Sequence, residues 1–210
     1  MEVTRGRARE LLPQVVLTVL SIIQALALEV LWSSVHASEH LWNGGFAAWL
    51  GWLQVFAVFL GLLVMWIFYL SLVLRYRWTP TVQDSVVPFL LGVLEFSLAE
   101  MLAPELLHLW LYVLAALFIG ASATSVVIIR RAIADEANAE VIVDFDLSMP
   151  TAIFHAATLT GTLVVAGVAV QWAGPDGWVA LAAVLAAISV LAIQGGIIRH
   201  HWNRVLHRRQ

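Results

Sequence analysis

The sequence has no cysteine, which excludes disulfides, thiolate metal sites and thiol nucleophiles. It has no lysine either, so all 11 basic residues are arginines. Charged residues make up only 12% of the chain, about half their usual share in globular proteins. No phosphate-cradling glycine loop, serine nucleophile elbow or nucleotide fingerprint occurs. The arginines are scattered among short segments and the formal net charge is -3, so nothing in the chain points to nucleic acid as a partner.

What the chain has instead is apolar surface: 61% of its 210 residues are hydrophobic. A soluble domain of this size cannot hide that much inside one core, so the surrounding solvent is lipid. The pattern predicts an all-α, polytopic membrane protein, a single transmembrane domain over residues 1–210. Apolar runs near or above the spanning length of about 18 residues cover approximately 11–32, 46–74, 86–103, 106–129, 152–173 and 178–198. Turn signals separate them: Asn43-Gly44-Gly45, Ala103-Pro104 and Gly174-Pro175-Asp176-Gly177. Thr79-Pro80 reads as an N-cap with a first-turn proline, and Ser148 before Pro150 opens the fifth run similarly.

Arginine placement orients the bundle. Arg5, Arg7 and Arg9 precede the first span, Arg75 and Arg77 follow the second, and Arg130 and Arg131 follow the fourth. Arg199, Arg204, Arg208 and Arg209 follow the sixth. With six spans these all fall on one side, which the positive-inside rule makes cytoplasmic, so both termini are expected inside. Trp32, Trp42, Trp49, Trp52, Trp110, Trp172 and Trp178 then form an outer aromatic belt, with Tyr69, Tyr76, Trp78 and Trp202 at the inner face. A cleaved signal ending at Val35-His36-Ala37 is disfavoured, because the apolar run is too long and contains Glu29. The expected location is a cell membrane, of the prokaryotic cytoplasmic kind.

The one substantial loop, about 132–150, is acidic (Asp135, Glu136, Glu140, Asp144, Asp146) and ends in alternating Val143-Asp144-Phe145-Asp146-Leu147. It reads first as a solvated connector and alternatively as a cation-attracting vestibule or partner-docking edge. Ala157/Gly161, Ala182/Ala186 and Ala183/Ala187 stand four apart, the spacing that lets helices approach closely in lipid. The second span is bulky (Phe56, Phe59, Trp66, Phe68, Tyr69) and is expected to face lipid or a neighbouring subunit, of its own kind or of a membrane complex. Three plus three spans permit an inverted repeat, but no residue pattern is shared by the two halves.

Ionisable residues inside a membrane are costly and mark function. Glu95 falls near the middle of the third span, with Glu100 and Glu29 nearer the outer surface. With every arginine at the opposite edge, these carboxyls lack a fixed cationic partner. They are left to stay protonated, to bind a cation or to pair with a histidine, and the bland version is a protonated acid bonded between helices, for instance to Ser97. A second concentration lies at the outer side. If the first helix continues past Trp32, then Glu29, His36 and His40 share a face, beside Glu39. Glu105 and His108 repeat a Glu-x-x-His spacing used in bundle metal sites. Imidazole with carboxylate suits zinc, copper, iron or manganese; a haem between His108 and His36 or His40 is the lesser alternative. The His36-to-His40 match to a zinc-peptidase motif lacks its structural context and is set aside. His155, in the fifth span, reads as a proton relay, a haem ligand or a histidine bonded to Thr151 or Thr158. His200, His201 and His207 read as headgroup contacts.

Three functions follow as expectations. The first is a proton- or metal-ion transporter or channel using Glu95, Glu100 and Glu29, with the His/Glu cluster at its outer mouth. The second is a metal- or haem-dependent membrane oxidoreductase or a subunit of one. The third is a non-catalytic subunit of a membrane complex.

Overall fold

In lipid, backbone amides and carbonyls have no water to bond, and an apolar segment solves this most simply by coiling into a helix. The computed structural model describes residues 2–76, 81–139 and 149–207. Its long elements are α1 (Glu2–Ala37), α2 (Gly45–Arg75), α3 (Val82–Glu100), α4 (Leu107–Ile133), α5 (Met149–Ala173) and α6 (Trp178–His207), with no strand among the described residues. This matches the six runs expected. Among the described residues, five segments, Gln14–Ala37, Gly45–Arg75, Pro104–Ile133, Pro150–Ala173 and Trp178–His200, are long and apolar enough to cross a membrane, and α3 is not one of them. The protein is a multi-pass membrane protein.

The helices outrun the hydropathy windows. At the α-helical rise, the 36 residues of α1 reach about 54 Å, against a hydrocarbon core of about 30 Å. Helix formation continues through polar flanks because backbone bonding propagates past the apolar stretch. Thr79-Pro80, Arg77, Trp78, Arg208 and Arg209 lie outside the described residues, as do 140–148 of the acidic loop. The described part of that loop folds back on α4. After a 3-10 turn (Glu136–Asn138), the buried Asn138 side chain donates to the Ala132 carbonyl at 2.9 Å, satisfying a helix-end acceptor.

The helices close a ring in the order α1, α3, α4, α5, α6, α2 and back to α1, each packed on the next. Val16, Tyr69, Val87 and Ile128 border one small void, so the ends of α1, α2, α3 and α4 nearest the arginines lie together. The main core, chiefly leucine, valine and alanine, runs from Leu62, Met65 and Tyr69 to Leu107, Trp110, Leu111 and Leu163. Trp110 departs from the aromatic belt. Trp32, Trp42, Trp49, Trp52, Trp172 and Trp178 are exposed, whereas Trp110 is 0% exposed. It stands in the first turn of α4 and belongs to the buried core with Leu107 and Leu111. Phe56, Phe59 and Trp66 face out, as expected of the bulky second span, but Tyr69 is buried.

The small-residue pairs divide. Ala183 and Ala187 are buried, while Ala157 and Gly161 are exposed and a Cβ on Gly161 would meet nothing within 4 Å. Close helix approach occurs elsewhere: at Gly92, a Cβ would lie 2.6 Å from Ile23 Cγ2, on the facing surface of α1. Ile23 is β-branched and cannot swing aside cheaply. Gly92→Ala is therefore expected to lower the thermal unfolding temperature in detergent despite alanine's better helix propensity. Gly196→Ala, with nothing within 4 Å of its Cβ, should raise it. Equal shifts in the two variants would refute tight α1–α3 packing.

Candidate functional site

The interface tightened by Gly92 also holds a buried polar pair. Glu95, one turn further along α3, is 2% exposed, and Gln24 on α1 is 7% exposed. Gln24 Nε2 donates to Glu95 Oε1 at 2.7 Å. Glu95 Oε2 is buried and has no hydrogen-bond partner among the described residues. Ser97 does not serve as a partner, because its hydroxyl donates to the Val93 carbonyl of its own helix at 2.9 Å. Since α3 ends at Glu100, Glu95 stands about 7.5 Å from that end at helical rise. It is therefore closer to the tryptophan-bearing end than a mid-span position. Glu29 and Glu100 lie the same distance beyond Gln24 and Glu95 on their helices, and both are exposed.

Glutamine was the signal that the carboxylate-centred reading passed over. Among the described residues, three amides tie one helix to another or to the turn that follows it. Besides Gln24, the buried Gln54 of α2 donates to the Met101 carbonyl at the end of α3 (2.7 Å), and Gln171 of α5 accepts from the Tyr112 hydroxyl of α4 (2.9 Å). A spacing also links the central pair. Leu20, Gln24, Glu29 and Leu31 on α1 recur as Leu91, Glu95, Glu100 and Leu102 around α3. The two helices present the same pattern and meet at its equivalent polar position.

The histidines expected at the outer side are spread apart. Helix α1 ends at Ala37, and Ser38 (φ -90, ψ 87) leads into a 3-10 turn, Glu39–Leu41, so His40 leaves the face carrying Glu29 and His36. Tryptophans occupy this junction. Trp42 Nε1 donates to the Val35 carbonyl and Trp52 Nε1 to the Leu41 carbonyl, both at 3.1 Å, capping acceptors that the helix end leaves open. His36 bonds through Nδ1 to the Trp32 carbonyl at 2.9 Å and sits edge-on to that indole, with centroids 4.3 Å apart. His40 is half-buried beside Gly51, where a Cβ would lie 3.1 Å from its Nε2. Glu39 and Glu105 are exposed, and His108 is half-buried with its ring centroid 6.4 Å from that of Tyr112. Among the described residues, no three histidine, aspartate or glutamate side chains are grouped to hold a metal ion.

Toward the arginine-bearing end, one side of the bundle is open, although Leu72, Tyr76, Ile128, Ile129 and Ala132 pack together beside the opening. A cavity of about 1720 Å³ opens between α2, α4, α5 and α6, lined by residues within 61–76, 117–129, 152–165 and 191–202. His155 lies on its wall, exposed, with Nδ1 bonded to the Thr151 carbonyl at 3.0 Å rather than to a threonine hydroxyl. His200, on α6, lines the same space. Compared with known proteins, the chain matches no family model, no curated protein and no solved structure.

Proposed function

We propose that this chain is a cation-handling membrane protein, a transporter or channel, whose ion is a proton taken up and released by Glu95. The observation that carries this reading is a carboxyl sealed between α1 and α3 with one oxygen held by Gln24 and the other without a partner among the described residues. Burying a charge without compensation is expensive, so such a group holds a proton or a cation, and its occupancy decides how α1 sits on α3. One carboxyl and one amide suit a proton better than a divalent transition metal, which takes three or more protein ligands. Glu29 and Glu100, exposed beyond the pair toward the tryptophan end, would pass protons to it from outside. In this reading the arginine-bearing end is cytoplasmic, by the positive-inside rule.

The test is proton flux into proteoliposomes under an imposed gradient, followed with an internal pH dye. Glu95→Gln preserves shape and hydrogen bonding to Gln24 but cannot exchange a proton, and is expected to reduce flux to the level of protein-free vesicles. Flux equal to that of the unaltered protein would sink the assignment of Glu95.

A further inference from the structure

The cavity at the arginine-bearing end is separate from Glu95 and has a character of its own. It begins near the midpoints of α2, α4, α5 and α6 and runs to their arginine-side ends. Its deep part is apolar, floored where Gly161 and Gly196 leave open space rather than helix contact. Polar groups gather at the mouth. Arg75 lies with its guanidinium carbon 5.4 Å from the Tyr76 ring centroid, and His155, His200 and Trp202 complete the rim. Tyr76 is 5% exposed, yet its hydroxyl has no hydrogen-bond partner among the described residues. Other atoms of Tyr76 line the mouth, while the hydroxyl itself is closed off from the cavity surface.

We propose that the cavity binds one anionic phospholipid from the leaflet on the arginine side, with its acyl chains in the apolar recess beside Gly161 and Gly196 and its phosphate at Arg75 and His200. This goes beyond the proton reading and does not depend on it. Depth selects the occupant. A partner's spanning helix crosses both leaflets, about 30 Å of hydrocarbon, whereas this space occupies only one half of the bundle. A lipid also occupies one leaflet, with its charge at the membrane surface. The cationic rim matches a phosphate, which arginine binds through paired N–H donors.

The full chain, purified in detergent, is expected to retain phospholipid in stoichiometric amount, enriched in anionic headgroups, when extracts are assayed for phosphorus and identified by mass spectrometry. Gly161→Phe fills the recess from a position where a Cβ meets no neighbour, and should abolish retention. Arg75→Gln should leave the retained lipid without anionic preference. A second measurement needs no variant: transfer into phosphatidylglycerol nanodiscs should raise the unfolding temperature above that in phosphatidylcholine nanodiscs. The proposal is overturned if the purified chain carries no phospholipid and the two nanodiscs give the same unfolding temperature. It is equally overturned if Gly161→Phe folds and retains the lipid, or if it instead dissociates a dimer or a co-purifying protein. Proton flux is not read in any arm, so failure here leaves the role of Glu95 standing.

Discussion

Trp110→Ala is expected to destabilise the folded protein by about 3–5 kcal/mol, the range for truncating a large aromatic in a packed core. Trp110 is wholly buried among Leu107, Leu111 and Leu114 of its own helix and the leucines facing them. The indole N–H has no hydrogen-bond partner among the described residues. Trp110 therefore contributes by volume, and Trp110→Phe, which keeps most of that volume and removes the unbonded donor, should cost much less than the alanine change. Unfolding in mixed micelles titrated with a denaturing detergent measures both. If the alanine variant is as stable as the unaltered protein, or phenylalanine costs as much as alanine, Trp110 belongs to the interfacial belt after all.

Gln24→Leu carries the second large effect. It strips Glu95 of the donor held at 2.7 Å and leaves a buried carboxyl with neither oxygen satisfied, a loss of about 1–3 kcal/mol. Replacing both partners removes the stranded group along with its partner, so adding Glu95→Leu to Gln24→Leu should recover stability. The coupling between the two sites is expected to be smaller than the single loss, about 0.6–1.7 kcal/mol, because polar groups in lipid find substitute partners when helices separate. A double-mutant cycle on the same unfolding assay gives this directly. A coupling of zero would mean that the two side chains do not meet.

These predictions concern residues that a reading of the sequence treated unequally. Glu95 stood out because a carboxylate in an apolar run is costly wherever it lies. Gln24 did not, since an uncharged amide is tolerated in a span for many reasons, and only its position opposite Glu95 makes it informative. His40 does not share a face with Glu29 and His36, for a local reason. Sharing one face required α1 to continue through His40, and the turn after Ala37, sealed by the indoles of Trp42 and Trp52, ends it first. Ala157 and Gly161 carried the spacing of a close helix contact but line the cavity instead. Small residues permit close approach without requiring it, and here the tight contacts formed at Gly92 and at Gly167, against Ile23 and Tyr112.

By itself the sequence determined the solvent, the number of long helices and the sorting of arginine and tryptophan along them. All of these depend on composition over a stretch of chain and on turn residues between stretches, which are local properties. Only the tertiary structure decided which polar groups meet: Gln24 with Glu95 across 71 positions, Trp110 inside the core, and His155 and His200 on one cavity wall. The physical reason is rotation. A helix that is apolar nearly all round carries little amphipathic signal to say which side faces its neighbours. Its orientation about its own axis is set by how the side chains of adjacent helices fit, and that information lies in no single segment.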